Sequence, residues 1–446
     1  MAGTLSERQQ DDLHRSILDY LSSAGFTKTY EQMKEEVPGV QDFQPDTNSK
    51  TAGLLAKKWT GLIRLQRRIM DLEARLSQAQ EDLSHLSHLP AGTKRTNLDW
   101  LPRAPAKHTL SGHRDTVTAI SFHPLYSAIA SASLDSTLKV WDWESGELER
   151  TLKGHTRGVT YCEYDSKGKQ LVSCSNDLFI KLWNVEDDYQ NSTTLRGHEH
   201  TVSTARFLPG DDKIVSAGRD QSVRIWNIGT GHCIKVIHAH TEWIRSAVPS
   251  PDGRLILTCS ADHTAKLSDT ESGAVKVELR GHENVVEAAV FAPTISMPAI
   301  RDLVARPANA LTAKVDALGV AFVLTGSRDK TIKLWDALSG QCLWTFVGHD
   351  NWVRSIAFHP SGKYLLTACD DKSVRIWELK TGRCAKKIES AHDSFIESLS
   401  WGRQIVSSTT IDKDAKDEGP RPINVVATAS SDKANYKDKW MMRGGV

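Results

Sequence analysis

A Gly-His or Ala-His pair recurs along most of this chain, with its histidine at His113, His155, His198, His240, His282, His349 and His392. The steps are 42, 43, 42, 42, 67 and 43 residues. An aspartate follows 22 residues later at Asp135, Asp177, Asp220, Asp262 and Asp371. Asp329 comes 47 after His282 and Asp432 comes 40 after His392, so two units carry insertions of 25 and 18 residues. Six residues past the aspartate stand Trp141, Trp183, Trp226, Trp335 and Trp377. A fixed period of this size marks a repeat architecture, in which one unit cannot bury its apolar face without its neighbours. Inside a unit the apolar residues alternate with period 2 in short runs, as in Val117–Phe122, Ala128–Ser131, Thr137–Trp141 and Glu147–Leu152. His-Pro, Ser-x-Asp and Ser-Gly or Thr-Gly signals separate the runs. The pattern predicts four short antiparallel strands, a to d, in each of seven units across 110–446.

These residues resemble the WD40 repeat β-propeller family, over about three quarters of the chain. The resemblance implies an all-β, seven-bladed propeller over 108–446. It also implies a buried relay in each blade, joining the histidine, a strand-b hydroxyl, the turn aspartate and the strand-c tryptophan. Its members here are His113, Asp135 and Trp141; His155, Asp177 and Trp183; His198, Asp220 and Trp226; and His349, Asp371 and Trp377. A buried indole N–H and imidazole must find acceptors. Such pairs read as structural, because a catalytic dyad does not recur in every blade without a nucleophile. Departures from the pattern are Ser268 in place of a tryptophan, and Gly218 and Cys369 in place of the hydroxyl. The last unit, Ser431–Trp440, is a poor strand c, and Lys107–Leu110 is the expected closing strand.

Ahead of the repeats, Leu13, Ile17, Tyr20 and Leu21 recur at helical spacing, Gly25 ends that helix, and Phe26, Tyr30 and Met33 give a second stripe. The run Tyr20–Phe26 with Tyr30 resembles the lissencephaly-homology (LisH) motif, which implies a helical dimerisation module over 6–40. An amphipathic hairpin docked on the propeller is the alternative. Across 54–87, Leu62, Leu65, Ile69, Leu72, Leu76, Ala79, Leu83 and Leu86 step by 3 and 4 residues, which predicts a coiled coil. Residues 88–107 hold Pro90, Gly92, Pro102 and Pro105 and read as a linker.

In that order, these parts resemble the lissencephaly-1-type regulators of cytoplasmic dynein, called nuclear distribution protein F in filamentous fungi. Local matches include Gly53–Trp59, Ile63–Gln66, Thr151–Thr156 and Val347–Arg354. The resemblance implies a non-catalytic homodimer that binds the dynein heavy-chain motor domain, with a nuclear distribution protein E-type coiled-coil protein as second partner. Microtubules are then engaged indirectly. It implies a cytoplasmic and cytoskeletal place, at microtubule plus ends and spindle poles, and roles in nuclear migration and retrograde transport.

The repeat register predicts the docking face. Residues three and five after each histidine, and one before each aspartate, share one rim. Arginine and tryptophan, both enriched in binding hot spots, gather there as Arg219, Trp243, Arg245, Arg328, Trp352 and Arg354. The family's dynein-contacting positions match Arg219, Arg245, Arg328, Trp352 and Lys372. Scattered rim residues packed on their neighbours are the alternative. Both insertions, Met297–Gly319 and Gln404–Pro422, are expected to be loops on the other rim.

Composition removes several classes. Fifty-six basic against 55 acidic residues gives net charge +1, unlike a protein that tracks phosphate backbones. No apolar run reaches 18 residues, and Met1–Gln10 is polar, so neither a membrane span nor a signal peptide is expected. Seven scattered cysteines without a Cys-x-x-Cys pair read as buried thiols. No Gly-rich phosphate loop, Gly-x-Ser-x-Gly or metal-ligand cluster is visible, so no cofactor or metal is expected. The rival to a dynein regulator is a WD40 scaffold in another complex, such as a ubiquitin-ligase substrate adaptor or a chromatin reader.

Overall fold

A computed structural model describes residues 14, 17–18, 21–22, 26–37, 101–102, 106, 108–304, 322–406, 421–431 and 441–443. The chain divides into two units, Met1–Lys94 and Arg95–Val446.

The described part of the first unit holds a helix over Thr27–Glu36, preceded by Phe26. The Phe26 N–H reaches back to the Leu21 carbonyl at 3.0 Å. Leu18 is fully buried, Ile17, Leu21, Tyr30 and Met33 are half-buried, and Phe26 is exposed. Leu13 and Tyr20 lie outside the described residues, as does the whole of the expected coiled coil, including Leu62, Leu65, Ile69, Leu72 and Leu76.

The second unit is a propeller of seven antiparallel sheets, six with four strands and the seventh with three. The first blade runs Val117–Phe122, Ala128–Ser133, Thr137–Asp142 and Leu148–Lys153, each strand paired with the next. Strand b is buried along its whole length in blades 1, 4 and 5, because a sheet covered on both faces has no solvent side. Strand d alternates, with its outer residues exposed, as in blade 3 where Ile234 and Val236 face out. Apolar side chains from neighbouring blades fuse into shared clusters. Val172, Leu182 and Leu195 of blade 2, for example, pack with Ala205, Ile214 and Trp226 of blade 3.

The relay geometry repeats with little variation. In blade 1, His113 Nδ1 lies 2.9 Å from Asp135, His113 Nε2 lies 2.7 Å from Ser131 Oγ, and Trp141 Nε1 lies 2.9 Å from the same hydroxyl. His155, His198 and His349 meet Asp177, Asp220 and Asp371 at 2.8, 2.7 and 2.8 Å. Trp183, Trp226 and Trp377 reach their hydroxyls at 2.8, 2.8 and 2.9 Å. One proton assignment satisfies every partner. The indole can only donate and the ionised carboxylate can only accept, so the hydroxyl passes its own proton to Nε2 and Nδ1–H goes to the aspartate. In blade 1 burial lowers the His113 pKa, which favours the neutral imidazole.

The relay hydroxyls are Ser131, Ser173, Ser216, Thr258, Thr325, Thr367 and Thr428. This corrects the expectation that Gly218 and Cys369 replace them. Those two stand two residues further on, where Ser133 and Ser175 instead accept the aspartate's backbone N–H at 3.1 Å. Cys369 Sγ takes the Asp371 N–H at 3.3 Å in the same way. Period 2 puts both positions on one side of the strand, so the sequence offers two hydroxyls where the relay uses one. In blade 4, Ser268 is buried without a partner for its hydroxyl among the described residues, and Thr258 meets His240 and the Lys266 carbonyl but no indole.

The first insertion also departs from expectation. Met297–Val304 is a helix with Ile300 fully buried in the cluster of Phe322, Phe346 and Trp377, so apolar burial orders it. The remainder of that insertion, 305–321, lies outside the described residues. The second insertion lengthens a hairpin, with strands Ile396–Val406 and Arg421–Ser430 paired along their length. The third strand of the last blade is Met441–Arg443, beyond the expected Ser431–Trp440. Leu110 is buried beside Val425, Ala427 and Ala429, which seats the start of the propeller against its last sheet.

Thr367→Val keeps the shape but orphans His349 Nε2 and Trp377 Nε1. It should cost about 2–6 kcal/mol, at roughly 1–3 kcal/mol per stranded group. Ser268→Ala should be nearly neutral. Denaturant midpoints compare the two.

Acid should also weaken the relay. Burial lowers the His113 pKa, so the fold prefers neutral imidazole, and stability falls as pH drops below the ordinary histidine value. Burial would raise Asp135, but the bonds from His113 and Thr137 hold it well below the usual carboxylate range. Its contribution is complete above about pH 4 and is lost as pH falls further. Urea midpoints should be flat from pH 9 to about 7 and decline below about 6.5.

Candidate functional site

The rim that carries the d–a and b–c connections is built by one backbone bond repeated in each blade. The residue before the turn aspartate donates its N–H to the carbonyl three residues past the histidine. These bonds are Leu134 to Thr116, Asn176 to Gly158, Arg219 to Thr201, Ala261 to Trp243, Arg328 to Val285 and Asp370 to Trp352, at 2.8–3.0 Å. The residue after each aspartate takes a positive φ, +64° at Lys372, which turns the chain back and leaves the Lys372 side chain exposed. All of the predicted docking residues therefore share this rim.

Two of the seven positions are tryptophans, and each is gripped by two guanidinium groups. Arg219 from blade 3 lies 4.7 Å and Arg245 from blade 4 lies 5.8 Å from the Trp243 ring. Arg328 from blade 5 lies 4.0 Å and Arg354 from blade 6 lies 5.0 Å from the Trp352 ring. One arginine comes from the blade's own strand a, and the other from the preceding blade's b–c turn. Cation–π contact fixes the ring and the cation together. Trp243 stays 40% exposed and Phe395 44%, while Trp352 is half-buried.

The residues five past each histidine, Thr118, Thr160, Ser203, Arg245, Glu287, Arg354 and Glu397, line a channel cavity of roughly 630 Å³. Thr118 and Thr160 seal blade to blade by bonding the Val159 and Val202 carbonyls. From blade 4 onward the position is charged and alternates in sign. Glu287 is the hub, 2.5 Å from Arg328 and 3.8 Å from both Arg245 and Arg354. Arg354 also makes three contacts of 3.0–3.2 Å with Asp370, itself 4% exposed, and lies 3.8 Å from Glu397. Burial opposes charge on Arg354, yet Glu397, Asp370 and Glu287 outweigh it and raise its pKa. Burial pushes the Glu397 and Asp370 carboxyls up against the pull of Arg354.

Burial pushes the thiols of Cys162, Cys174 and Cys259 up, which suppresses thiolate. His349, Cys369 and Asp371 bring three potential metal-ligand atoms within 4.8 Å of one another. His349 spends its two nitrogens on Asp371 and Thr367, and Cys369 accepts the Asp371 N–H. Two of the trio, His349 and Asp371, belong to the relay of blade 6, and Cys369 stands beside it. Charge, aromatic surface and a rigid frame come together on this rim.

The sequence placed the arginines and tryptophans on one rim. It missed the pairing of each indole with arginines from two blades, and it missed Glu287 as their common partner. The available signal was the alternation of Arg245, Glu287, Arg354 and Glu397 at one repeat position.

Sheets, relays and rim define a WD40 β-propeller scaffold with a LisH segment ahead of it. Residues 7–39 match the family described as PAC1 LisH domain, and six spans from 105–142 to 340–378 match the WD domain, G-beta repeat. Nuclear distribution protein PAC1 of Coccidioides posadasii is 42% identical over 426 residues, covering 92% of this chain and 88% of the relative. Nuclear distribution protein nudF of Aspergillus niger is 42% identical, covering 97% and 98%. PAC1 of Tuber melanosporum is 46% identical, covering 96% and 97%. The chain belongs to the nuclear distribution protein PAC1/nudF family.

Arg354→Leu should cost about 3–5 kcal/mol, because it strands the Asp370 carboxylate in a buried site. Arg219→Ala should change stability by less than about 0.5 kcal/mol, since no carboxylate depends on it. Chemical denaturation of the two variants reads the difference.

Proposed function

We propose that this protein is a non-catalytic, homodimeric regulator of cytoplasmic dynein that grips the motor domain with the arginine–tryptophan rim. The observation that carries the reading is the pair of tryptophans held at the rim by Arg219, Arg245, Arg328 and Arg354. A blade relay has no use for either indole, and large exposed aromatic groups beside arginine are what interface anchors look like. Membership of the nuclear distribution family supports the motor as the partner.

The N-terminal segments, 6–40 and 54–87, pair two chains, so two propellers meet one motor dimer at high effective concentration. Docking then biases the motor between its conformations, since a ligand shifts an equilibrium only through differential affinity. A nuclear distribution protein E-type coiled coil is the second partner, and microtubules are engaged through the motor. The work is cytoplasmic, at microtubule plus ends and spindle poles, and serves nuclear migration and retrograde transport.

Pull-down with the dynein motor domain at moderate salt should capture the wild type. Arg328→Ala/Trp352→Ala should lose at least about tenfold in affinity, the scale of one or two hot-spot side chains. Undiminished capture of the double variant removes the rim from the account. Light scattering should give a dimer for the full chain and a monomer for a fragment lacking residues 1–107.

A further inference from the structure

The two clamps share a geometry and differ in charge. Around Trp352 both guanidiniums are answered from within the protein, Arg328 by Glu287 and Arg354 by Asp370, with Glu397 3.8 Å further off. Around Trp243 they are not. Arg219 has no carboxylate within 4.0 Å among the described residues, and its recorded contact is the indole. Arg245 reaches only Glu287, at 3.8 Å, and that carboxylate is already engaged by Arg328 at 2.5 Å. The Arg245 Nε is buried with no hydrogen-bond acceptor among the described residues. Burial, and then the neighbouring Arg328, Arg219 and Arg354, pull the Arg245 pKa down, while Glu287 pulls it up. Four arginines face Glu287, Asp370 and Glu397, so one positive charge is left over, and geometry puts it at Trp243.

We infer that the two clamps read different chemistry: Arg219–Trp243–Arg245 receives a carboxylate side chain of the partner, and Arg328–Trp352–Arg354 receives an uncharged surface. Glu287 is the positioning residue that creates the difference. It holds Arg328 against the Trp352 ring and cancels its charge there, and its distance from Arg245 leaves that guanidinium available. An incoming carboxylate at Trp243 meets two cationic donors that no carboxylate of the fold fully engages among the described residues, so its own desolvation is compensated on arrival. At Trp352 the same carboxylate would meet Glu287 and Asp370 and be repelled. The rim thus discriminates by where a partner carries its charge.

The inference deepens the docking role proposed above, and it has one test that needs no partner. Iodide and neutral acrylamide are titrated against the tryptophan fluorescence of the full chain. The leftover charge at Trp243 concentrates iodide, so Trp243→Phe should lower the iodide-to-acrylamide quenching ratio by about twofold, and Trp352→Phe should leave it unchanged. In a Glu287→Gln background Trp352→Phe should also lower the ratio, because Arg328 is no longer neutralised. Equal ratios for the two single variants overturn the inference. With the motor domain, Arg219→Gln should flatten the dependence of affinity on salt by about half, and Arg328→Gln should weaken binding at every salt without flattening it. Equal flattening also overturns it. If the wild type fails to bind the motor at low salt, the dynein reading falls, and the iodide ratios alone decide whether the clamps differ.

Discussion

Everything in the propeller hangs on a hydroxyl that serves two masters. In each complete relay one strand-b serine or threonine accepts an indole proton and gives its own to an imidazole, which in turn holds the turn aspartate. The chain of bonds crosses the sheet from strand c through strand b to the segment ahead of strand a. It therefore fixes the relative height of the d–a connection and the b–c turn. Each bond is ordinary, but all are buried or partly buried, and leaving any of them unmade costs more than making it returns. That asymmetry is why the rim is rigid. A rim residue is positioned by the aspartate next to it, and the aspartate by the histidine that the hydroxyl holds.

Rigidity at that height frees the neighbouring positions for other tasks. The fifth residue past the histidine points into the channel in every blade, and its chemistry changes around the ring. Threonines there stitch blade 1 to blade 2 and blade 2 to blade 3 through backbone carbonyls. Charged residues follow in alternating sign, so each can pair sideways with the next. One odd charge cannot pair, and the mismatch falls beside the more exposed of the two gripped indoles. A buried guanidinium without a full partner weakens the isolated protein.

Much of this could be read from the amino acids. Period, strand count and the placement of Arg219, Trp243, Arg328 and Trp352 on one rim follow from spacing, because a 42-residue repeat repeats its geometry as well as its letters. Spacing failed where two candidates sat on the same side of a strand. Ser131 and Ser133 differ in role only through what lies across the sheet, so Gly218 and Cys369 were assigned to the wrong one of the pair. It failed again where contact crosses blades. Arg328 and Trp352 are 24 positions apart in different units, and only the stacking of blades brings the cation over the ring. The helix at Met297–Val304 was hidden because it lies in an insertion, where no period speaks, and one buried isoleucine orders it.

The last blade shows what ring closure requires. Its third strand has three residues, where strand c elsewhere has five or six. The relay there retains His392 on Thr428 at 2.7 Å. Side-chain packing closes the circle there. Leu110 and Trp141 from the start of the propeller enter one cluster with Val425, Ala427 and Ala429 from its end. Apolar burial is indifferent to strand register, so it tolerates a short strand that a hydrogen-bond ladder alone would not. The docking clamps lie on blades 3 to 6, away from this seam. The closing blade is left to hold the circle.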